Sequence, residues 1–168
     1  MSARPPWPEL TEADRAAVSA QLGRPVRGEV RCAHRCPCGR PDVVATRPRL
    51  PDGTPFPTLY YLTCPLAVRA ISRLEGSGAL EAMNARLREQ PELAAAHRAA
   101  HRAYLADRDG WEHVGEIADV SAGGMPDRVK CLHALAAHAL ATGRGVNRVG
   151  DEVLEEVGAW WTHGPCVP

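Results

Sequence analysis

The sequence predicts an α+β fold, in which a small antiparallel sheet of about three strands in the N-terminal third packs against a mainly helical C-terminal part. Short β-branched runs bounded by proline and glycine are confined to the chain before Cys64, whereas helical periodicity dominates after it. A chain that passes through its strands first and its helices afterwards favours α+β over the alternating order of a parallel sheet.

The N-terminal third is predicted to contain one short helix and three strands. Residues 1–10 are proline-rich, and we expect them to be extended. Thr11 followed by Asp14 is typical of a helix N-terminus, and Gly23 should end that helix after Leu22. The strand-like runs cover residues 26–33, 42–46 and 58–63. A Pro-Asp-Gly turn between the last two predicts an antiparallel hairpin.

The rest of the chain is predicted to be helical. Proline at N-termini, apolar residues at i, i+3 and i+7, and glycine stops predict five helices, at about residues 65–74, 80–87, 91–109, 126–142 and 154–161. A length of 168 residues favours one domain, which would cover residues 11–168.

Charge and hydropathy narrow the functional classes. Twenty basic and twenty acidic residues give a net charge of zero, which argues against nucleic acid and against an anionic membrane surface as partners. No apolar run approaches the ~20 residues of a membrane span. The N-terminus lacks the apolar stretch of a secretion signal. We therefore expect a soluble, cytoplasmic protein.

Six cysteines are many for a chain in a reducing compartment, where they indicate metal ligands or reactive thiols before disulfides. A structural zinc site needs four thiolate or imidazole ligands. The predicted ligands are Cys36, Cys64, Cys131 and Cys166, with Cys38, His34 and His163 as substitutes. The bound group would be zinc or an iron–sulfur cluster, in a structural or redox-sensing role. The alternative is a set of unrelated buried cysteines.

Local geometry decides between some of these candidates. The proline between Cys36 and Cys38 should leave only one of the two thiols facing an ion. On a continuous helix, His133 should point away from Cys131. Cys32 has strand-like neighbours, and we interpret it as a small buried apolar residue.

A second group of residues suggests an anion site. Gly123 and Gly124 lead into the helix predicted from residue 126, whose N-terminus would offer N–H groups and a positive dipole end. Arg128 and Lys130, the single lysine of the chain, add positive charge. The same dipole would lower the pKa of Cys131. The alternative function is therefore a thiol enzyme or a protein that binds a small phosphate-containing ligand, and a capped helix with a solvated basic face is the simpler interpretation.

Four motifs are spread over the chain from about Leu22 to the C-terminus. They are Cys36-Pro-Cys-Gly39, Leu50-Pro-Asp-Gly-Thr-Pro-Phe-Pro-Thr-Leu-Tyr-Tyr-Leu-Thr-Cys-Pro65, Gly123-Gly-Met-Pro-Asp-Arg-Val-Lys-Cys-Leu-His133 with His138, and Gly164-Pro-Cys166. In these motifs the sequence resembles the bacterial family called domain of unknown function 501. The resemblance implies a small soluble protein, but it does not identify an activity, a catalytic residue or a protein partner.

Overall fold

The computed structural model describes residues 6–167. Within that range, six α-helices and a three-stranded sheet follow one another in the predicted order, and the α+β class is confirmed. The elements are α1 (Glu12–Leu22), β1 (Val30–Arg35), β2 (Pro41–Thr46), β3 (Tyr60–Leu62), α2 (Pro65–Gly76), α3 (Ala79–Glu89), α4 (Pro91–Asp109), α5 (Leu132–Thr142) and α6 (Arg148–Val157). Among these described residues, no helix is long and apolar enough to cross a membrane.

Reciprocal capping defines the start of α1. The Thr11 hydroxyl accepts a hydrogen bond from the Asp14 backbone N–H at 3.1 Å, and the Asp14 carboxylate accepts one from the Thr11 N–H at 3.2 Å. Gly23 ends the helix with φ 68°, a left-handed conformation that glycine adopts at low cost. The predicted boundaries of this helix are confirmed.

The sheet has the order β1-β2-β3, and both strand pairs are antiparallel. All residues of the central strand β2 are buried, because the strand has neighbours on both edges and packing on both faces. The hairpin predicted between the second and third runs is confirmed, with Val43 opposite Leu62. The first strand begins at Val30 instead of residue 26, since Gly28 at φ 71° interrupts the extended backbone.

The core lies between the sheet and the C-terminal helices. Helix α5 packs against β3 on one side and α6 on the other. At the centre, the Tyr60 ring lies edge-on to Tyr104 and parallel to His138, with ring centroids 5.6 Å apart in both cases. Gly150 of α6 allows the close approach of α5, because a Cβ at this position would lie 2.2 Å from the Leu135 carbonyl oxygen.

The segment before α5 is not helical, and the predicted start of that helix at residue 126 is wrong. The Lys130 N–H donates to the Gly123 carbonyl at 2.7 Å, and this hydrogen bond closes a loop. Val129 forms two hydrogen bonds with the Asn84 side chain of α3, one through its N–H at 2.9 Å and one through its carbonyl at 2.7 Å. The side-chain amide of Asn84 thus forms hydrogen bonds with the backbone groups of Val129 that a helix would have used.

The last helix, predicted at about residues 154–161, lies nearer the N-terminus, since α6 covers Arg148–Val157. Gly158 ends α6 with φ 65°, so Trp161 lies outside the helix, in a 3₁₀ turn over Trp160–His163. This turn packs against α2. It therefore directs the C-terminal residues toward the start of α2.

Candidate metal centre

Four cysteine thiols from three distant segments meet at one end of the molecule. The Sγ atom of Cys166 lies 3.3 Å from that of Cys36 and 3.5 Å from that of Cys64. The Sγ atoms of Cys36, Cys38 and Cys166 all lie within 4.8 Å of one another. We call Cys36, Cys38, Cys64 and Cys166 the four-cysteine cluster.

The turn between β1 and β2 supplies two of the thiols. The Cys36 N–H donates to the Arg40 carbonyl at 2.9 Å, and the Gly39 N–H donates to the Cys36 carbonyl at 2.8 Å. Gly39, at φ 90°, completes the reversal. The turn places both Cys36 and Cys38 toward Cys166, so the expectation that only one of them faces the site is wrong.

The other two thiols come from the start of α2 and from the C-terminal tail. Cys64 is the N-cap residue of α2, and Pro65 follows it at the first helical position. The positive end of a helix dipole favours negative charge such as that of a thiolate. Cys166 follows the 3₁₀ turn that packs against α2, and it is 2% exposed.

Burial opposes the ionisation of two thiols in the four-cysteine cluster. It raises the pKa of Cys36 and of Cys166. It acts in the same direction on Cys38, but the Arg40 backbone N–H and hydrogen bonds with Cys166 and Cys36 outweigh it, so the pKa of Cys38 is lowered. Converging thiolates need a cation, and thiolate is a ligand that zinc and iron accept. The cluster could hold a metal ion.

Cys131, predicted as a ligand of the same site, lies in a different group with Glu75 and His133. Glu75 is near the C-terminal end of α2, whereas Cys64 precedes its N-terminal end. Eleven residues of helix separate the two positions by about 16 Å, at ~1.5 Å per residue. Cys38, predicted only as a substitute, contributes the fourth thiol instead.

The two substitute histidines lie outside both groups of ligand atoms found among the described residues. His34 Nδ1 is 2.7 Å from the Asp42 carboxylate. His163 lines a surface groove between α2 and α6. Cys32 is buried in β1 and 6% exposed, in agreement with its interpretation as an apolar residue.

The glycines of the predicted anion site serve a loop instead of a helix N-terminus. Gly123 and Gly124 have φ 68° and 94°, and a Cβ on Gly124 would lie 2.8 Å from the Arg128 carbonyl oxygen. The first N–H of α5, that of Leu132, donates to the Glu75 carboxylate at 2.7 Å, so the protein supplies its own anion there. Phosphate binding by the exposed Arg128 and Lys130 stays a prediction, without the helix terminus that motivated it.

The grouping of Glu75 and His133 with Cys131 was not predicted from the sequence. On a continuous helix His133 would lie on the opposite side from Cys131, but Cys131 is the extended N-cap residue of α5, with φ −145°. The Cys131 and His133 side chains consequently converge, with Sγ 3.9 Å from Nδ1. A prediction that the helix starts at residue 132 would have revealed the pair. Side chains two residues apart lie on the same side of an extended backbone, whereas on a helix they lie on opposite sides.

Comparison with known proteins gives one match. A family model described as "Protein of unknown function (DUF501)" matches residues 32–155. The matched range contains Cys36, Cys38, Cys64 and Cys131, and Cys166 lies beyond it. No curated protein and no solved structure matches the chain.

Proposed function

The chain belongs to the family of proteins of unknown function called DUF501, and since that description assigns no activity, we propose a function from the residues themselves. The protein binds one zinc ion through Cys36, Cys38, Cys64 and Cys166. The observation that carries this proposal is the convergence of four thiols, the most distant of which are 130 residues apart in sequence.

The spacing of the sulfurs supports a single ion over an iron–sulfur cluster. A tetrahedral ion with Zn–S bonds of ~2.3 Å holds its sulfurs about 3.8 Å apart. The Sγ–Sγ distances of 3.3 and 3.5 Å from Cys166 to Cys36 and Cys64 require a small expansion to accept such an ion. Cys64 is outside the group of sulfurs that all lie within 4.8 Å of one another, so at least one of its distances to Cys36 and Cys38 would have to shorten. A cluster of several iron and sulfide atoms would have to separate the same thiols much further. Zinc is bound by four ligands in a tetrahedron, and it has no redox chemistry.

A closed donor set favours a structural role. Four thiolates fill the coordination sphere of zinc, whereas catalytic zinc keeps one position for water or substrate. The ion would join the β1–β2 turn, the start of α2 and the C-terminal tail. We place the protein in the cytoplasm, where reducing conditions keep the thiols available for zinc.

Metal analysis tests the proposal. We expect protein purified under reducing conditions to contain one equivalent of zinc by inductively coupled plasma mass spectrometry. Cys38→Ser should lose most of the zinc because three thiolates bind it more weakly. Cys131→Ser is the matched control, and it should retain the full equivalent.

Three results would contradict the proposal. One is a folded wild-type protein without metal, including one in which Cys36 and Cys166 are joined by a disulfide. Another is stoichiometric iron with absorption in the visible. The third is loss of zinc from Cys131→Ser but not from Cys38→Ser, which would restore the ligand set predicted from the sequence.

A further inference from the structure

A cavity of about 360 Å³ lies beside Cys131, and β3, the first turn of α2 and the start of α5 line it. Tyr61, Leu62 and Val68 line it, together with Cys131 and His133. Among the described residues that line it, none is lysine or arginine. The cavity therefore suits a neutral, largely apolar group better than a phosphate.

The contacts of His133 indicate that its ring is a cation. On one side, Nε2 lies 3.2 Å from the Val68 carbonyl oxygen, which can only accept a hydrogen bond. On the other, Nδ1 lies 3.2 Å from the Glu75 carboxylate, which as an anion also only accepts. Both contacts are hydrogen bonds only when both ring nitrogens carry a proton. The Ser72 hydroxyl, 3.1 Å from Nε2, can accept as well.

Glu75 is held in place from a second direction. The Glu75 oxygen that faces His133 also accepts a hydrogen bond from the Leu132 N–H at 2.7 Å. This bond fixes the end of α2 against the start of α5. The carboxylate is thus a positioning group for the ring.

The thiol of Cys131 lies next to this cation. Burial raises the pKa of Cys131, but the His133 ring and the Ala134 backbone N–H outweigh burial, and the pKa is lowered overall. The hydrogen bond with Cys131 raises the pKa of His133 to about 8, with burial opposing it and Glu75 adding to it. A thiolate beside an imidazolium is the reactive form of cysteine.

We propose that Cys131 is a nucleophile that accepts an acyl group from a thioester or an activated ester, with His133 as its proton partner, Glu75 as the positioning group and the cavity as the acyl-binding site. This proposal goes beyond the zinc site and does not depend on it.

Acyl transfer proceeds through an acylated Cys131. The Cys131 thiolate attacks the carbonyl carbon, and a new carbon–sulfur bond forms. The bond to the leaving group breaks, the leaving group keeps the electron pair, and it takes the proton from His133 Nδ1. The neutral ring then accepts a proton from a water molecule that attacks the acylated thiol. That attack releases the carboxylic acid and restores the thiolate.

The pH dependence of alkylation tests the ion pair. The titratable groups next to Cys131 are Glu75 on α2 and His133 on α5, and Tyr60 and Tyr61 on β3 line the same cavity. We expect iodoacetamide treatment of the purified full-length protein, followed by peptide mapping, to show modification of Cys131 with a pH midpoint below the ~8.5 of a free thiol. In His133→Gln, which removes the cation but keeps a polar side chain, the rate at pH 7 should fall about tenfold.

Two further variants control for folding and for charge. Glu75→Gln retains an oxygen for the Leu132 N–H while removing the negative charge, and its alkylation midpoint should differ from that of the wild type. Far-ultraviolet circular dichroism reports whether each variant is folded, and it does so whether or not the four-cysteine cluster holds zinc. Identical alkylation profiles for wild type and His133→Gln would overturn the ion pair.

Acyl transfer is tested with p-nitrophenyl butyrate. We expect a burst of nitrophenolate and the mass of one butyryl group on the Cys131 peptide, and neither with Cys131→Ser. The cavity is tested with Ala134→Leu, which should reduce butyrylation by about tenfold or more if it fills the site, while alkylation by the smaller iodoacetamide is less affected. Rapid alkylation without butyrylation would overturn the acyl-transfer proposal and leave only a reactive thiol.

Discussion

At the scale of the residue, Asp14 joins two parts of the N-terminal third. Its carboxylate completes the cap of α1 and accepts hydrogen bonds of 2.7 and 2.8 Å from the guanidinium of Arg35 at the end of β1. The Thr11–Asp14 spacing predicted the cap, because capping depends on residues three apart. Arg35 is 21 residues away, and nothing local to either residue indicates the ion pair.

The ion pair makes part of the stability dependent on pH. Hydrogen bonds from Arg35, partly opposed by burial, lower the pKa of Asp14 to about 2. A lowered pKa in the folded state stabilises the protein above the unfolded value of ~3.9, and the contribution is lost as the pH falls toward 2. Since Arg35 is 43% exposed, we expect Asp14→Asn to cost about 1–2 kcal/mol at pH 7 and less at pH 3.

Urea unfolding of both proteins at the two pH values checks this prediction. Other acid-sensitive groups are the same in both proteins, so the difference in free energy of unfolding isolates Asp14. Glu12→Gln, at an exposed position in the same helical turn, should change stability by no more than about 0.5 kcal/mol. A deficit in Asp14→Asn that is as large at pH 3 as at pH 7 would contradict the assignment.

At the scale of the element, local signals set most boundaries. Thr11, Pro65 and Pro91 mark three helix starts in the sequence, and α1, α2 and α4 begin there. The start of α5 was predicted six residues too early, because the Asn84 side chain from α3 binds Val129 and replaces helical hydrogen bonds. Periodicity in one segment contains no information about an amide 45 residues away.

The crossing of α5 and α6 depends on the absence of a side chain at Gly150. In Gly150→Ala, the added methyl group would meet the Leu135 carbonyl oxygen at 2.2 Å, so the helices would have to move apart. We expect a loss of about 2–3 kcal/mol in the free energy of unfolding, which is typical of overpacking. Urea denaturation measures it.

Gly76→Ala is the matched control for this substitution. Gly76 is also helical, but a Cβ there has nothing within 4 Å. Its replacement by alanine should be neutral or stabilise the protein by up to about 1 kcal/mol, through helix propensity. Equal stabilities of the two variants would show that the helices separate at no cost.

At the scale of the whole molecule, the four-cysteine cluster depends on contacts that sequence spacing does not encode. Cys36, Cys64 and Cys166, three of the predicted ligands, lie together in the structure. Whether Cys38 or Cys131 joins them depends on the direction of α2, because Cys64 precedes one end of this helix and Glu75, which groups with Cys131, lies near the other end. The residues next to each cysteine in the sequence do not reveal that direction.

A metal bound at this position should contribute to global stability. Binding to the folded state alone stabilises that state by mass action, so removal of zinc with a chelator should lower the thermal midpoint, by about 10 °C if several kcal/mol are lost. Differential scanning calorimetry in the presence and absence of chelator measures the change. In Cys38→Ser the midpoint should already be low and respond little to the chelator. An unchanged wild-type midpoint would argue against a structural metal.

The position of Cys38 has a consequence for how a bound ion would leave. Cys36, Cys64 and Cys166 are packed inside the protein, whereas Cys38 is exposed at the tip of its turn. A competing small thiol such as glutathione would reach the ion from that side and displace Cys38 first. Release of the ion would then require only that the five-residue turn from Cys36 to Arg40 opens, and the rest of the protein would stay folded.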